Sequence, residues 1–102
     1  MSNKCIYELI EEEVKRQQDL WGEQNHPDVP ELNGWDWEAK AYSWKQENAL
    51  RNTTGKLAWD GNLLEEVYEA LAESDPEKLK TELVQVAAVA VTWIKCIERR
   101  KK

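Results

Sequence analysis

Apolar residues in the first fifth of the chain fall at Ile6, Leu9, Ile10, Val14, Leu20 and Trp21, with charged residues between them. That is helical spacing, uninterrupted by proline or internal glycine, and it predicts a helix over residues 4–21. A weaker stripe of Trp37, Ala41, Trp44 and Ala49 predicts a second helix over 37–52. Asp36 would cap it, and Thr53-Thr54-Gly55 would stop it, with Gly55 in the left-handed conformation that ends many helices. Leu63, Leu64, Val67, Ala70 and Leu71 predict a third helix, capped by Asp60 and stopping near Ser74. Asp75-Pro76 then opens a fourth, with proline at the first helical position, where its missing N–H costs nothing. This last helix carries Leu79, Leu83, Val86, Ala87, Ala90, Val91, Ile94 and Ile97 on one side and Val84, Ala88, Val89 and Trp93 on the other. A helix apolar over most of its circumference must be buried on more than one side. In so short a chain a subunit interface is the simplest cover.

No strand-like alternation and no repeat is present, so the class is all-α. The expected architecture is an antiparallel helical hairpin with an N-terminal helix and one further helix. Its four-helix-bundle-like core would be completed by a homodimer or a dimer of dimers. The stretch 22–34 holds two prolines, two glycines, Asn25 and Asn33. It reads as an ordered loop, long enough to suggest a function.

Length and charge narrow the picture. The 102 residues fit one domain, 1–102. Twenty acidic against fourteen basic residues give a net charge of −6, which argues against DNA or RNA polymers as partners. The basic end, Arg99-Arg100-Lys101-Lys102, suits the C-terminal end of a helix dipole. Cys5 and Cys96 are too few and too scattered for a disulfide framework or a zinc site. The longest apolar run, Val86 to Val91, is far short of a membrane span, and nothing resembles a signal peptide. A soluble, cytoplasmic protein with no membrane partner is expected. With only four scattered glycines there is no phosphate-binding glycine loop.

The candidate chemistry is acidic. Glu65, Glu66 and Glu69 fall in the third helix, Glu82 and Gln85 in the fourth. Positions three apart share a helix face, so Glu66 pairs with Glu69 and Glu82 with Gln85. A short turn centred near residue 75 forces an antiparallel hairpin, which sets the two pairs at the same height. If their faces meet, three carboxylates and an amide converge. Carboxylates crowded this way repel unless a cation lies among them, and a hard ion, Mg²⁺ or Mn²⁺, fits oxygen ligands best. Glutamate-rich helix faces are more often simply solvated. Here, however, Glu82 and Gln85 sit within a helix that otherwise reads as buried, where polar groups need partners.

The run Glu65-Glu66-Val67-Tyr68-Glu69, then Glu82-Leu83-Val84-Gln85, resembles the signature of the MazG-like all-α nucleoside triphosphate pyrophosphatases. The segment Gln18-Asp19-Leu20-Trp21-Gly22-Glu23-Gln24-Asn25-His26-Pro27-Asp28 is similar to the stretch preceding the acidic helices in a subgroup of that family. The resemblance covers residues 14–28 and about 59–98, and leaves 29–58 as a variable insert. It implies Mg²⁺-dependent conversion of a (d)NTP to the (d)NMP and pyrophosphate, with a role in sanitising nucleotide pools. By position it makes Glu66, Glu69 and Glu82 metal ligands, and Glu65 a further ligand or the base that orients water. Gln85 stands where the family usually has aspartate. A neutral amide there implies a weaker metal site, one ion rather than two, or a member that has lost catalysis and serves as a helical interaction or regulatory module.

The remaining candidates concern the nucleotide. His26, the only histidine, lies in a polar loop beside Asn25, and the resemblance makes both of them nucleotide contacts. Among six tryptophans, Trp21 adjoins that loop and is the favoured ring to stack on a base, while Trp93 belongs to the apolar fourth helix. Trp35, Trp37, Trp44 and Trp59 read first as packing residues. Lys45, with Lys40, Arg51 and Lys56, is a candidate to balance charge on a leaving pyrophosphate.

Overall fold

A computed structural model describes residues 4–29 and 36–100. The described residues form four α-helices: α1 (Ile6–Trp21), α2 (Trp37–Thr53), α3 (Trp59–Ala72) and α4 (Pro76–Arg100). No strand occurs among the described residues, so the all-α expectation holds. The end of the expected loop (30–34), Trp35 and the terminal Lys101 and Lys102 lie outside the described residues. Among the described residues no helix is long and apolar enough to cross a membrane.

The chain divides into two compact units, Met1–Glu31 and Leu32–Lys102. The first is built on α1. Its surface carries an ion pair from Arg16 to Glu13, at 2.8 and 2.7 Å, and Gln17 donates to the same carboxylate at 2.8 Å. These donors pull the Glu13 carboxyl down to about 2. No residue of α1 is buried.

The second unit holds α2, α3 and α4, with α3 packed against both of the others. Asp36 caps α2 as expected, its carboxylate accepting from the Ala39 N–H at 2.9 Å. Beyond Thr54, Gly55 takes a φ of 71°, the left-handed region that a residue with a side chain resists. One expectation is corrected at α3. Ala58, not Asp60, occupies the cap, and Asp60 lies in the first turn. There its carboxylate accepts from the Gly61 N–H at 2.7 Å and from Arg51 Nη1 at 2.8 Å, so the α2 cation draws it away from capping. The helix also stops two residues early, at Ala72.

Glu73, Ser74 and Asp75 alone join α3 to α4. Glu73 accepts from the Asp75 N–H at 3.1 Å, and Asp75 accepts from the Glu77 N–H at 3.3 Å. So short a connection forces the helices antiparallel. Two aromatic pairs mark the register. Trp59 at the start of α3 stacks on Trp93 late in α4, with centroids 6.2 Å apart, and Trp37 at the start of α2 stacks on Tyr68 late in α3 at 5.8 Å. All three helices therefore run alternately up and down.

The core of this unit is thin. Among described hydrophobic residues only Ala70 and Val91 are buried, at 2% and 8% exposure. On α4, Leu83 (53% exposed), Val84 (64%) and Ile97 (38%) face solvent. Within this unit, α2 and α3 leave part of the apolar surface of α4 uncovered.

Candidate functional site

The hairpin places the two acidic pairs at one level. Carboxylate oxygens of Glu66, Glu69 and Glu82 all lie within 4.8 Å of one another, on half-buried side chains. Gln85 adds its amide to the group. With its nitrogen turned inward it donates to Glu66 Oε2 at 3.2 Å and to Glu82 Oε2 at 3.0 Å. With its oxygen turned inward, that oxygen faces the same two carboxylates, an arrangement that needs a cation between them.

The electrostatics follow from the crowding. Partial burial, then the charges of Glu69, Glu82 and Glu65, push the Glu66 carboxyl above its ordinary value. Burial, then Glu65 and Glu82, push Glu69 up as well, and the Lys45 ammonium opposes that rise. Lys45 is thus the candidate cation that α2 brings within electrostatic reach of the cluster. Two oxygens on opposite sides of a Mg²⁺ ion are about 4.2 Å apart, so small side-chain adjustments would let this donor set hold one ion. Hard oxygen donors with no sulfur or imidazole suit Mg²⁺ or Mn²⁺.

Glu65, beside this group, is held from α2. Its Oε1 accepts from Asn48 Nδ2 at 2.8 Å. Asn48, on α2, is buried at 8% exposure, and the same nitrogen donates to the Gly61 carbonyl at 3.0 Å. Gly61 has no room for a side chain, because a Cβ there would sit 2.2 Å from Asn48 Oδ1. Beside this group opens a cavity of about 290 Å³ lined by Trp59, Asn62, Glu65, Glu66 and Thr92, with Ala88 and Val89.

Of the expected nucleotide contacts, Trp21, Asn25 and His26 belong to the N-terminal unit and are exposed within it. Asn25 Nδ2 donates to Glu23 at 3.3 Å, and His26 Nε2 lies 3.0 Å from Gln24 Oε1. Trp37 and Trp59 are engaged in their stacked pairs, and Trp44 lies under the Arg51 guanidinium, 5.2 Å from its ring centre. Arg51 is itself tied to Asp60 and, at 3.2 Å, to Glu47.

Sequence reasoning missed Asn48 and the cavity. Asn48 was findable, since it continues the stripe Trp37, Ala41, Trp44 at helical spacing and is the polar member of an inward face. The cavity was not, because it depends on how the side chains of α3 and α4 pack around Trp59. Compared with family models, curated proteins and solved structures, the chain matches none.

Proposed function

We infer that this chain is a Mg²⁺-dependent nucleotide pyrophosphohydrolase, with Mn²⁺ an alternative ion, converting a (d)NTP to the (d)NMP and pyrophosphate. The observation that carries the reading is the convergence of Glu66, Glu69 and Glu82 from two helices onto one small volume. It is supported by the resemblance to the MazG-like signature and by Lys45 beside Glu69.

In this reading Glu66, Glu69 and Glu82 hold the ion, with Gln85 turning its oxygen inward as a fourth donor. The bound ion would screen the triphosphate and the charge that grows on the leaving group. Glu65, held from behind by Asn48, orients a water against the α-phosphorus. The water oxygen forms the new bond to phosphorus while the bond from phosphorus to the α–β bridging oxygen breaks. The electron pair leaves with pyrophosphate, and the water proton passes to Glu65 and then to solvent. Lys45 would balance charge on that pyrophosphate. The exposed Leu83, Val84 and Ile97 favour a homodimer or a dimer of dimers built on α4.

One observation favours a second reading. With its nitrogen inward, Gln85 bridges Glu66 and Glu82 and relieves part of their repulsion with no ion present. A helical module that has lost catalysis and kept its fold for a regulatory partner would have this arrangement. Incubation with a panel of (d)NTPs and Mg²⁺ or Mn²⁺, with released pyrophosphate measured, separates the two. Metal-dependent release supports the hydrolase; no release with any triphosphate, from a folded protein, leaves the silent module.

A further inference from the structure

Asn48 is a polar residue where packing alone would favour an apolar one. It extends the inward stripe of Trp37, Ala41 and Trp44, and it is more than nine-tenths buried. Its Oδ1 is buried with no hydrogen-bond partner, a cost to the fold that an aliphatic side chain would avoid. Its Nδ2 carries two protons, and both are used: one goes to the Gly61 carbonyl at 3.0 Å, the other to Glu65 Oε1 at 2.8 Å. A fixed fork thus ties the backbone of α3 at its first turn to a carboxylate one turn further on. Gly61 is the complementary half, since any side chain there would collide with the amide.

We propose that Asn48 is a positioning residue, which clamps Glu65 Oε1 and so fixes a carboxylate that lines the cavity, where its other oxygen would orient a water. The proposal rests on the hydrolase reading and deepens it by naming the residue outside the hairpin that sets the geometry of the candidate base. Without the fork, Glu65 is a glutamate with three free torsions beside three other carboxylates, and repulsion from Glu66 and Glu69 would swing it away from them.

The experiment exploits the steric lock between positions 48 and 61. Asn48→Ala is compared with Gly61→Ala and with the double variant, reading melting temperature, kcat and KM at saturating Mg²⁺ with the triphosphate the parent hydrolyses fastest. Gly61→Ala alone should be strongly destabilised. In the double variant the amide that blocks the new methyl is gone, and the next neighbour is Arg51 Nη1 at 3.1 Å, the end of a flexible side chain. The double variant should therefore melt close to Asn48→Ala, while kcat in both stays about 10- to 100-fold below the parent with KM little changed, as expected for a misplaced catalytic group. A merely structural Asn48 would let kcat recover with stability. Parent-like kcat in either folded variant overturns the proposal. A second readout is independent of turnover: the Asn48 side-chain amide protons, followed by NMR, should exchange slowly and shift on Glu65→Ala. Signals that ignore Glu65→Ala show that there is no clamp. If the parent releases no pyrophosphate, the hydrolase and Asn48's part in it fall together, whereas a failed clamp appears only as unmoved amide signals or parent-like kcat.

Discussion

Replacing Glu66 with Gln should have opposite effects with and without divalent metal. Glu66 faces Glu69 and Glu82 with oxygens no more than 4.8 Å away. At that separation each pair of charges repels by about 0.9 kcal/mol in a water-like medium, and by about 3.5 kcal/mol at the dielectric typical of a protein surface. These side chains are half-buried but still reach solvent, and Gln85 relieves some of the repulsion, so the net effect lies nearer the lower figure. Removing one charge from two such pairs should stabilise the metal-free protein by about 1–2 kcal/mol. For a domain of this size that raises Tm by roughly 4–16 °C. The parent, in contrast, should gain about 2.7 kcal/mol from free Mg²⁺ at a hundredfold excess over its Kd, and the variant should gain almost nothing.

The pH dependence carries the same signature. Glu66 and Glu69 both titrate above the ordinary glutamate value of 4.5 in the folded protein. A carboxyl whose folded pKa is raised binds its proton more tightly when folded. Its stabilising contribution is complete below 4.5 and is lost as pH rises through the folded pKa. The metal-free parent should thus lose stability from about pH 4.5 toward neutrality, with a shallower slope in Glu66→Gln. Saturating Mg²⁺ should restore the loss at neutral pH, where the ligands are ionised. Thermal melts across pH 4.5–7.5, with and without Mg²⁺ or Mn²⁺, measure all of this. A parent Tm indifferent to both ions would refute the reasoning, leaving the carboxylates a solvated face and removing the basis for the hydrolase.

Gln85→Asp should tighten Mg²⁺ binding severalfold by calorimetry and lower the metal-free Tm, because it adds a fourth carboxylate; unchanged or weaker binding would remove Gln85 from the ligand set. Val84→Glu, at the most exposed apolar position of α4, should shift light scattering from dimer or tetramer to monomer with helicity retained; a parent that is already monomeric at micromolar concentration rules out the assembly. In α1, the Glu13 carboxyl should titrate near 2 by NMR and move back toward 4.5 in Arg16→Ala; a midpoint that ignores the substitution would mean the Arg16 pair does not persist in solution.

What the sequence reveals about this site depends on how local each feature is. The hairpin register was legible because three residues join α3 to α4, so counting outward from the turn fixes which residues stand level. The cluster of Glu66, Glu69 and Glu82 follows from that count and from helical geometry alone. The cap of α3 was misjudged because its decisive partner is not local: Arg51, nine residues upstream on another helix, holds Asp60 at 2.8 Å and fixes it in the first turn. The contact between Asn48 and Glu65 spans 17 residues and two helices, and no spacing rule predicts which face of α2 meets which turn of α3. Yet its two halves each left a trace, an amide on an inward stripe and a glycine inside a helical turn, where glycine costs stability. Either alone has a bland explanation. Together they mark a close backbone approach bought with a buried polar group, and such an approach sits here directly behind the carboxylate that the proposed chemistry needs held still.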